Sequence, residues 1–258
     1  MRGKAKCVLS TFMKTKFFLI MILLCAVAQG AWAQSSDYSK SYVECSWNET
    51  EKKVESTVKY YASSQHRSSS SDDWWGFDGN AEFYSVEGNI SVKAINVMAA
   101  DRHLVLRDGA TLNVKHIKLE PGASLHIHTQ SGVNGEKGKL NVDNSYYSEG
   151  SYEYAAGIGG GNGASSGDLY IHGGTITTKG YSQSAAIGGG KGGSCGKVVI
   201  YDGKVDATGG LHAAGIGGGE KGSAGDVSIY GGDITVFSAE ACGIGPAPGG
   251  EYYGNIKI

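Results

Sequence analysis

Tyrosine and histidine side chains recur at a constant spacing in the second half of the chain, and their chemistry suits ligand binding. His172, Tyr201 and Tyr230 are equally spaced, each directly after an isoleucine, and Tyr170 lies beside the first of them. Aromatic rings offer sugars an apolar surface, and the tyrosine hydroxyl adds a hydrogen-bonding end. We therefore predict that these four residues form a ligand-binding stripe. The alternative is that the rings only stabilise stacked strands.

Four further histidines, His103, His116, His126 and His128, lie close together in sequence. Imidazole nitrogens are common metal ligands, and His126 and His128 share one face of a predicted strand. His103 and His116 are equivalent positions of a short repeat, and we expect them to stack. The favoured interpretation is that all four are solvated side chains on the outer surface of strands. We predict no metal and no cofactor.

Carboxylates on neighbouring repeats raise the possibility of polysaccharide cleavage. Inverting hydrolysis needs two carboxyl groups about 6.5–9.5 Å apart, and the available acids are Asp202, Asp206, Asp226 and Asp233. No acid pair recurs in one register, and no lyase-like set of Lys and Arg accompanies them. We predict a non-enzymatic protein, with a polysaccharide lyase or glycoside hydrolase as the alternative.

These side chains are carried by a repeat that fills the second half of the chain. The phrase AGIGGG occurs at 156–161 and 214–219, with a variant at 185–190 and a degraded copy at 242–245. A Gly-x-apolar-x-Ile phrase follows each copy and ends at a constant interval, at Ile171, Ile200, Ile229 and Ile258. A constant period of this size indicates stacked supersecondary units.

Apolar residues alternate in twos within each unit, which predicts short strands with one buried and one outward face. We expect Leu169, Ile171 and Ile176 to point inward, and Ile158, Ile187, Ile216 and Ile244 to form a second apolar ladder. Two sets of outward residues share registers: Asp168, Lys197, Asp226 and Asn255, and Thr177, Asp206 and Thr235. The segment 138–142 is predicted to be a fifth copy of the 167–171 strand, followed by an insertion at 143–153.

A shorter repeat precedes the long one. Residues 103–114 match 116–127, with Leu104 aligned to Ile117 and Gly109 to Gly122. The many glycines disfavour helices. Short strands between glycine turns predict an all-β fold, a parallel β-helix of 29-residue coils spaced about 4.8 Å apart.

The N-terminal third has a different character. Residues 1–33 are typical of a signal peptide, with Lys14 and Lys16 before an apolar run and Ala31 and Ala33 at the cleavage site. This pattern predicts export by the Sec route to the periplasm, cell surface or medium. Residues 34–73 are predicted to hold a small β-hairpin cap, with strands at 42–47 and 54–61, and a Ser-rich linker. The β-helix is then expected over 74–258.

Charge and cysteine usage exclude other classes. After removal of 1–33 the chain carries 18 Lys and Arg against 25 Asp and Glu, a net charge of −7. Nucleic-acid binding needs clustered cations, so no nucleic-acid partner is predicted. Three cysteines remain, an odd number that argues against a disulfide framework. Cys195 and Cys242 are expected to be small buried residues of the repeat.

The AGIGGG repeats, the preceding LxLxxGaxLxV strands and the Trp-Gly before the first coil resemble a group of secreted bacterial repeat proteins. The resemblance covers about 74–258. It implies a right-handed parallel β-helix and a carbohydrate-binding or adhesin-like role at the cell surface.

Together these observations predict an exported protein that binds an extracellular or cell-surface polysaccharide through the outer face of its coils. The last repeat strand ends at Ile258 without a further coil to cover it. Uncovered strand edges can pair with another chain. End-to-end homo-oligomers, or a fragment of a larger adhesin, are therefore the structural alternative.

Overall fold

The computed structural model describes residues 40–62, 64–77, 81–98, 100–130, 136–144, 153–250 and 254–258. The chain divides into two compact units, 1–41 and 42–258, and only Lys40 and Ser41 of the first are described. The predicted signal peptide at 1–33 and most of the predicted insertion at 143–153 therefore lie outside the described residues. Within the described ranges, no helix is long and apolar enough to cross a bilayer.

The described residues form 21 strands in three sheets, which we call A, B and C. Sheet A contains β1 (Ser41–Asn48) and β2 (Lys53–Tyr60). Sheet B contains β3 (Gln65–Arg67), β5 (Phe83–Val86), β7 (Asp101–Leu106), β9 (Ser124–Thr129), β12 (Asp168–Ile171), β15 (Val198–Ile200), β18 (Val227–Ile229) and β21 (Ile256–Lys257). Sheet C contains β4 (Ser71–Phe77), β6 (Asn89–Val97), β8 (Thr111–Leu119), β10 (Lys139–Asp143), β11 (Ile158–Gly159), β13 (Thr175–Lys179), β14 (Ile187–Gly188), β16 (Lys204–Thr208), β17 (Ile216–Gly217), β19 (Asp233–Phe237) and β20 (Ile244–Gly245).

Sheets B and C are built by stacking, and each pairing described within them is parallel. Each coil adds a strand to sheet B and then crosses to sheet C. The long strand β8 pairs with β10 over its first half and with β11 over its second half. From β10 onward the two halves are separate strands with a connection between them. The chain is therefore an all-β protein folded as a parallel β-helix, as the sequence predicts.

Coil length changes along the stack. Phe83 pairs with His103 and Asp101 with Ser124, so the first coils are shorter than the predicted period. Asp168 and Lys197, in consecutive later coils, are 29 residues apart. The later coils are longer because each gains the connection between the two halves of sheet C. The return from sheet C to sheet B lengthens as well, from residues 120–123 between β8 and β9 to residues 189–197 between β14 and β15, while the strands of sheet B keep a continuous register.

The short repeat at 103–127 has a different meaning from the one expected. Leu104 lies in sheet B and pairs with Ile127, whereas Ile117 lies in sheet C and pairs with Ile158. The two copies are successive strand–turn–strand corners of the stack, with Gly109 and Gly122 at φ +71° and +83° in the turns. The expected stacking of His103 on His116 is therefore wrong, because these residues lie in different sheets.

The predicted fifth copy of the sheet B strand is also wrong. Leu140 pairs with Ile176 of β13, and the strand that pairs with β12 is β9, through Leu125 and Leu169. The coil between β9 and β12 is therefore longer than one repeat. Segment 138–142 matches the repeat phrase in composition, but this long coil places it on the opposite side of the stack.

Apolar side chains between sheets B and C form one core that runs through the coils, including Phe77, Leu112, Ile171 and Ile200, all fully buried. Phe77 and Tyr84 stack at a 3.7 Å centroid distance near its first coil. The predicted inward residues Leu169, Ile171 and Ile176 lie in this core. Burial of alternate residues explains the two-residue period.

The glycines of the AGIGGG phrase permit the coils to approach. Gly188 has φ +131°, and a Cβ atom there would overlap the carbonyl oxygen of Gly217 in the next coil. Ile158, Ile187, Ile216 and Ile244 stack directly beside these glycines. The phrase therefore recurs because backbone meets backbone at this corner, where any side chain would separate the coils.

Candidate functional site

Two outer surfaces of the coil stack carry the residues that the sequence singled out. We call the outward rings of sheet B, and those directly after its strands, the aromatic face; they are Phe83, His103, His126, Tyr170, His128, His172, Tyr201 and Tyr230. We call the outward residues of β8, β10, β13, β16 and β19 the polar face. The two faces differ in what covers them.

The first row of the aromatic face is a continuous ring stack. Phe83 stacks on His103 at 4.5 Å, His103 on His126 at 4.7 Å, and His126 on Tyr170 at 4.4 Å between centroids. Lys197 places its ammonium 5.5 Å from the centroid of the Tyr170 ring. Each ring comes from a different strand, so the row follows the direction in which coils stack.

The second row contains the predicted stripe. His128 stacks on His172 at 4.3 Å, His172 on Tyr201 at 5.0 Å, and Tyr201 on Tyr230 at 5.6 Å. The prediction that His172, Tyr201 and Tyr230 share an outward register is confirmed. Tyr170, from the first row, lies in the same strand as Ile171 and borders the stripe as predicted.

Strand β1 lies across this second row. Tyr42 meets the edge of His128 at 4.7 Å, and Trp47 stacks on Tyr230 at 4.7 Å. Between them, the Cys45 thiol donates to the carbonyl oxygen of His172 at 3.2 Å. His172 is only 4% exposed as a result. The expectation that solvent reaches the whole stripe is wrong at His172, while Tyr170, Tyr201 and Tyr230 are half-buried.

The sequence predicts that the hairpin is a terminal cap, but the contacts of β1 lie on the side of the stack. Sequence reasoning missed these contacts because β1 lacks the repeat period. Its Tyr42, Glu44, Cys45 and Trp47 indicated only a strand. On its other side β1 pairs with β2, whose residues are largely exposed, including Val58 at 45%.

Four imidazoles meet beneath β1, and we call His103, His126, His128 and His172 the histidine cluster. His103 Nδ1 is 2.9 Å from His128 Nε2, and His126 Nδ1 is 3.0 Å from His172 Nε2. His103 and His128 are 8% and 0% exposed. The favoured interpretation of solvated histidines is therefore wrong for this cluster.

Burial favours the uncharged form of the cluster. Desolvation lowers the pKa of His126 and of His172 to about 4, and the neighbouring imidazoles lower it further than burial alone. The pKa of His128 lies well below its usual value, and that of His103 is lowered, for the same leading reason. Neutral imidazoles each retain one nitrogen lone pair, so the cluster is a set of potential metal donors at neutral pH.

His116 does not join the cluster. It lies in β8 of sheet C, is 1% exposed, and its Nδ1 is 2.6 Å from the carbonyl oxygen of Ala156. His172 takes its place, remote from His128 in sequence but directly above it in the stack. The signal that could have shown this was the shared position of His128 and His172 after the inward isoleucines Ile127 and Ile171.

The three cysteines occupy different environments. Cys195 is buried as predicted, and burial raises its pKa to about 12. Cys45 is buried between β1 and the coils, and burial raises its pKa to about 11. The expectation that Cys242 is buried is wrong: its thiol is exposed, although Ala214 in the same register is fully buried. Among the described residues, no strand of sheet C stacks beyond β20, the strand that follows Cys242.

The polar face presents unbroken rows of hydrogen-bonding side chains. Its central row contains Asn113, Asn141, Thr177, Asp206 and Thr235, each paired with the next across the sheet. Asn141 Nδ2 donates to Asn113 Oδ1 at 2.9 Å. The predicted shared register of Thr177, Asp206 and Thr235 is confirmed.

The flanking rows of the polar face add charge and one ring. Lys204 lies 4.0 Å from Asp233, and Lys179 lies 4.0 Å from Asp143. Phe237 ends one row and is 58% exposed. The face can therefore donate and accept hydrogen bonds along its length and offers an aromatic surface at one end.

The acids proposed for catalysis are distributed over several places. Asp206 and Asp233 lie on the polar face in adjacent strands and different rows. Asp202 pairs with Lys137 at 3.2 Å, and Asp226 accepts a hydrogen bond from the backbone of Asn255 at 2.9 Å. Lys197 likewise donates its backbone N–H to Asp168 at 2.9 Å, which confirms that outward register.

Comparison with known proteins supports the fold and goes no further. A family model described as a beta helix repeat matches residues 169–191 and 198–220, which correspond to two consecutive coils. Neither the curated proteins nor the solved structures contain a significant match. The fold and the matched repeat together define a parallel β-helix protein.

Proposed function

We propose that this protein is an exported, non-enzymatic β-helix protein that binds an extracellular polysaccharide along its outer surface. The observation that carries the proposal is the polar face, where hydrogen-bonding side chains repeat at the coil spacing of about 4.8 Å. A chain of sugar units laid along the stack would meet the same kinds of donors and acceptors at each coil. Export rests on the signal-peptide pattern at 1–33.

The polar face is a better candidate than the full aromatic stripe. Strand β1 already occupies the second row of rings and buries His172. Sugar binding through rings is then limited to the half-buried Tyr170, Tyr201 and Tyr230 and the exposed Phe237. We place the central hydrogen bonds of the complex on the row that contains Asn141, Thr177 and Asp206, with the rings of the aromatic face as the second candidate surface.

A glycan array probed with the purified protein tests the proposal, followed by affinity measurements on two variant pairs. Each lost hydrogen bond is worth about 1 kcal/mol, so Asn141→Ala with Asp206→Ala should weaken binding roughly 10- to 30-fold. Tyr170→Ala with Tyr201→Ala is the matched pair on the other face and should leave the affinity within about twofold.

Three outcomes contradict the proposal. The absence of saturable binding to any glycan would reject carbohydrate binding altogether. Loss of affinity only in the tyrosine pair would move the site to the aromatic face. Release of reducing sugar from a bound polysaccharide would instead favour the lyase or hydrolase alternative.

Self-association is the second candidate function. Exposed apolar side chains on β19 and β21, Phe237 at 58% and Ile256 at 48%, favour it. Contacts between such residues of two chains would bury apolar surface. Light scattering should then show dimers or larger species that disappear in Phe237→Ser, and a monomer at all concentrations would contradict this role.

A further inference from the structure

The histidine cluster directs one nitrogen of every imidazole toward another imidazole. His103 Nδ1 faces His128 Nε2 at 2.9 Å, and His126 Nδ1 faces His172 Nε2 at 3.0 Å. Among the described residues, His103, His126 and His128 also form a group whose ligand atoms all lie within 4.8 Å of one another. These three residues therefore bring ligand nitrogens close together beneath a covering strand, and His172 lies beside them.

The opposite nitrogens of two cluster residues face carboxylates. His126 Nε2 is 3.1 Å from Asp101 Oδ1, and His103 Nε2 is 3.7 Å from Glu82 Oε1. Metal-bound histidines almost always donate their second ring N–H to a carboxylate, carbonyl or water, which fixes the tautomer and the ring orientation. Asp101 and Glu82 are therefore placed as the outer partners of two metal ligands.

The opposite nitrogens of the other two face backbone carbonyls of β1. His128 Nδ1 is 2.9 Å from the Val43 oxygen, and His172 Nδ1 is 3.1 Å from the Cys45 oxygen. Each of the four imidazoles thus has an acceptor on its outer side and another imidazole on its inner side. This arrangement satisfies both nitrogens of each buried ring, and its outer acceptors are those that metal-bound histidines use.

We propose that the histidine cluster binds a divalent transition-metal ion of the zinc, copper or nickel type, with His103, His126 and His128 as ligands and His172 as the fourth nitrogen donor. Imidazole nitrogen suits these ions. A metal–nitrogen distance of about 2.0–2.1 Å places tetrahedral ligand atoms roughly 3.4 Å apart. To admit the ion, the two inner contacts would widen by a few tenths of an ångström, and the two pairs would draw closer, since the ligand atoms of His103, His126 and His128 lie within 4.8 Å of one another.

Binding needs no net proton loss from the neutral cluster. Without an ion, the short inner contacts require one N–H in each pair. A consistent arrangement has His103 Nδ1 donating to His128, and His172 Nε2 donating to His126. With an ion, the protons of His103 and His172 move to their outer nitrogens through solvent exchange. The Cys45 backbone can pair with His172 Nδ1 in both forms. Without the ion its N–H, at 3.0 Å, donates to this nitrogen; with the ion its carbonyl oxygen, at 3.1 Å, accepts from it.

The ion would also fasten the hairpin to the coils. Val43 and Cys45 belong to β1, while the ligands belong to β7, β9 and the turn after β12. With the ion bound, His128 and His172 carry their protons on Nδ1 and donate to the carbonyl oxygens of Val43 and Cys45. Backbone amides of β1 should then exchange with deuterium more slowly when the ion is present.

The test is a titration of the purified full chain, made without a histidine tag and stripped with a chelator, with Zn²⁺ in a calorimeter. We expect saturable binding of one ion per chain. His103→Gln with His128→Gln should weaken the affinity at least about 100-fold, and Asp101→Asn about 10-fold or more. His212→Gln is the matched control, since His212 is half-exposed, pairs with Glu240 at 2.8 Å and lies outside the cluster.

A second probe reports on the ligands. Co²⁺ added in place of Zn²⁺ should give visible absorption bands of a low-coordinate nitrogen site in the native protein and in His212→Gln. If the double histidine variant fails to fold by circular dichroism, the native stoichiometry and the exposed Asp101→Asn variant decide. The proposal is overturned by the absence of saturable 1:1 binding, or by equal binding in the native protein and the folded double variant.

Discussion

His116 lies in a strand, as the sequence predicts, but the expectations that it is solvated and that it stacks on His103 are wrong. Its ring is buried in sheet C, and its Nδ1 lies 2.6 Å from the Ala156 oxygen, so this nitrogen must carry the proton and donate. Burial lowers the pKa of His116 to about 4, although the backbone hydrogen bonds oppose that change. The neutral ring is therefore the folded form.

The first prediction concerns the pH dependence that follows from His116. Because the pKa of His116 is lower in the folded state, the unfolded state takes up a proton first as pH falls below its own pKa of about 6.5. The contribution of His116 to stability is therefore complete above pH 6.5 and is lost as pH falls toward 4. The loss amounts to about 3 kcal/mol, at about 1.4 kcal/mol per pH unit. His116→Gln keeps a donor for Ala156 but does not titrate.

Urea denaturation between pH 7 and pH 4 provides the measurement. The native protein should lose about 3 kcal/mol more unfolding free energy over this range than His116→Gln does. The His212→Gln variant, which replaces a half-exposed histidine outside sheet C, is the control for loss of a histidine. Parallel curves for the native protein and His116→Gln would show that His116 titrates normally, and would contradict its burial as a neutral ring.

Side-chain contacts, more than backbone pairing, hold the hairpin against the coils. Trp47 stacks on Tyr230 at 4.7 Å with an interplanar angle of 21°, and Lys257 lies 5.6 Å from the Trp47 ring. Strand β2 has mostly exposed side chains. The position of β1 therefore rests on a few rings and on the contacts of Cys45 with His172.

The second prediction uses Cys45 as a reporter of β1 opening. Its thiol is buried and its pKa is raised to about 11, so alkylation requires local opening. Trp47→Ala removes an aromatic pair worth about 1–1.5 kcal/mol. The rate at which iodoacetamide labels Cys45, followed by peptide mass spectrometry, should rise about tenfold.

Val58→Ala is the control for this experiment, because Val58 lies on β2 and is 45% exposed. Its Cys45 should react at the native rate. Equal labelling rates in the native protein and Trp47→Ala would mean that Trp47 does not hold β1 in place. Exposed Cys242 should react rapidly in all three proteins and serves as an internal standard.

Along the stack as a whole, burial of the inward residues is uneven. Ile171 and Ile200 are fully shielded from solvent, whereas Ile234 and Val236 in β19, an edge strand of sheet C, are only partly buried. In a solenoid each coil contacts only its neighbours, so an inward residue is covered according to how many neighbours it has. Stability should therefore differ between equivalent repeat positions.

The third prediction compares two isoleucines of the core. Ile171→Ala in the middle of the stack should cost about 3–4 kcal/mol of unfolding free energy, because it removes buried methyl groups and leaves a cavity between two coils. Ile234→Ala should cost about 1–2 kcal/mol, since less apolar surface returns to water. Equal losses in urea denaturation would contradict the neighbour-by-neighbour description.

The repeat itself was predictable from the sequence. The constant spacing and the alternation of inward and outward residues identified the core positions Leu169, Ile171 and Ile176 and the outward registers of Tyr201 and Asp206. This was possible because stacked coils place equivalent residues directly above one another. A local pattern therefore already contains the long-range contact.

The same reasoning failed where the period breaks. Segment 138–142 resembles the sheet B phrase, yet Leu140 pairs with Ile176 in sheet C. The coil between β9 and β12 is longer than one repeat, so a segment one repeat before β12 still lies in the same coil, on its opposite side. Composition does not show which sheet such a strand joins. Only the pairing of the folded strands distinguishes the two sheets.

Residue spacing alone establishes a stack of parallel coils with an apolar inside and outward rings in register. Packing in three dimensions was needed to show that β1 covers one row of those rings and that His103, His126, His128 and His172 meet beneath it. Cys45 and His172 are 127 residues apart and share no period. Their contact depends on how a non-repeating strand packs on a repeating surface, which no spacing in the chain encodes.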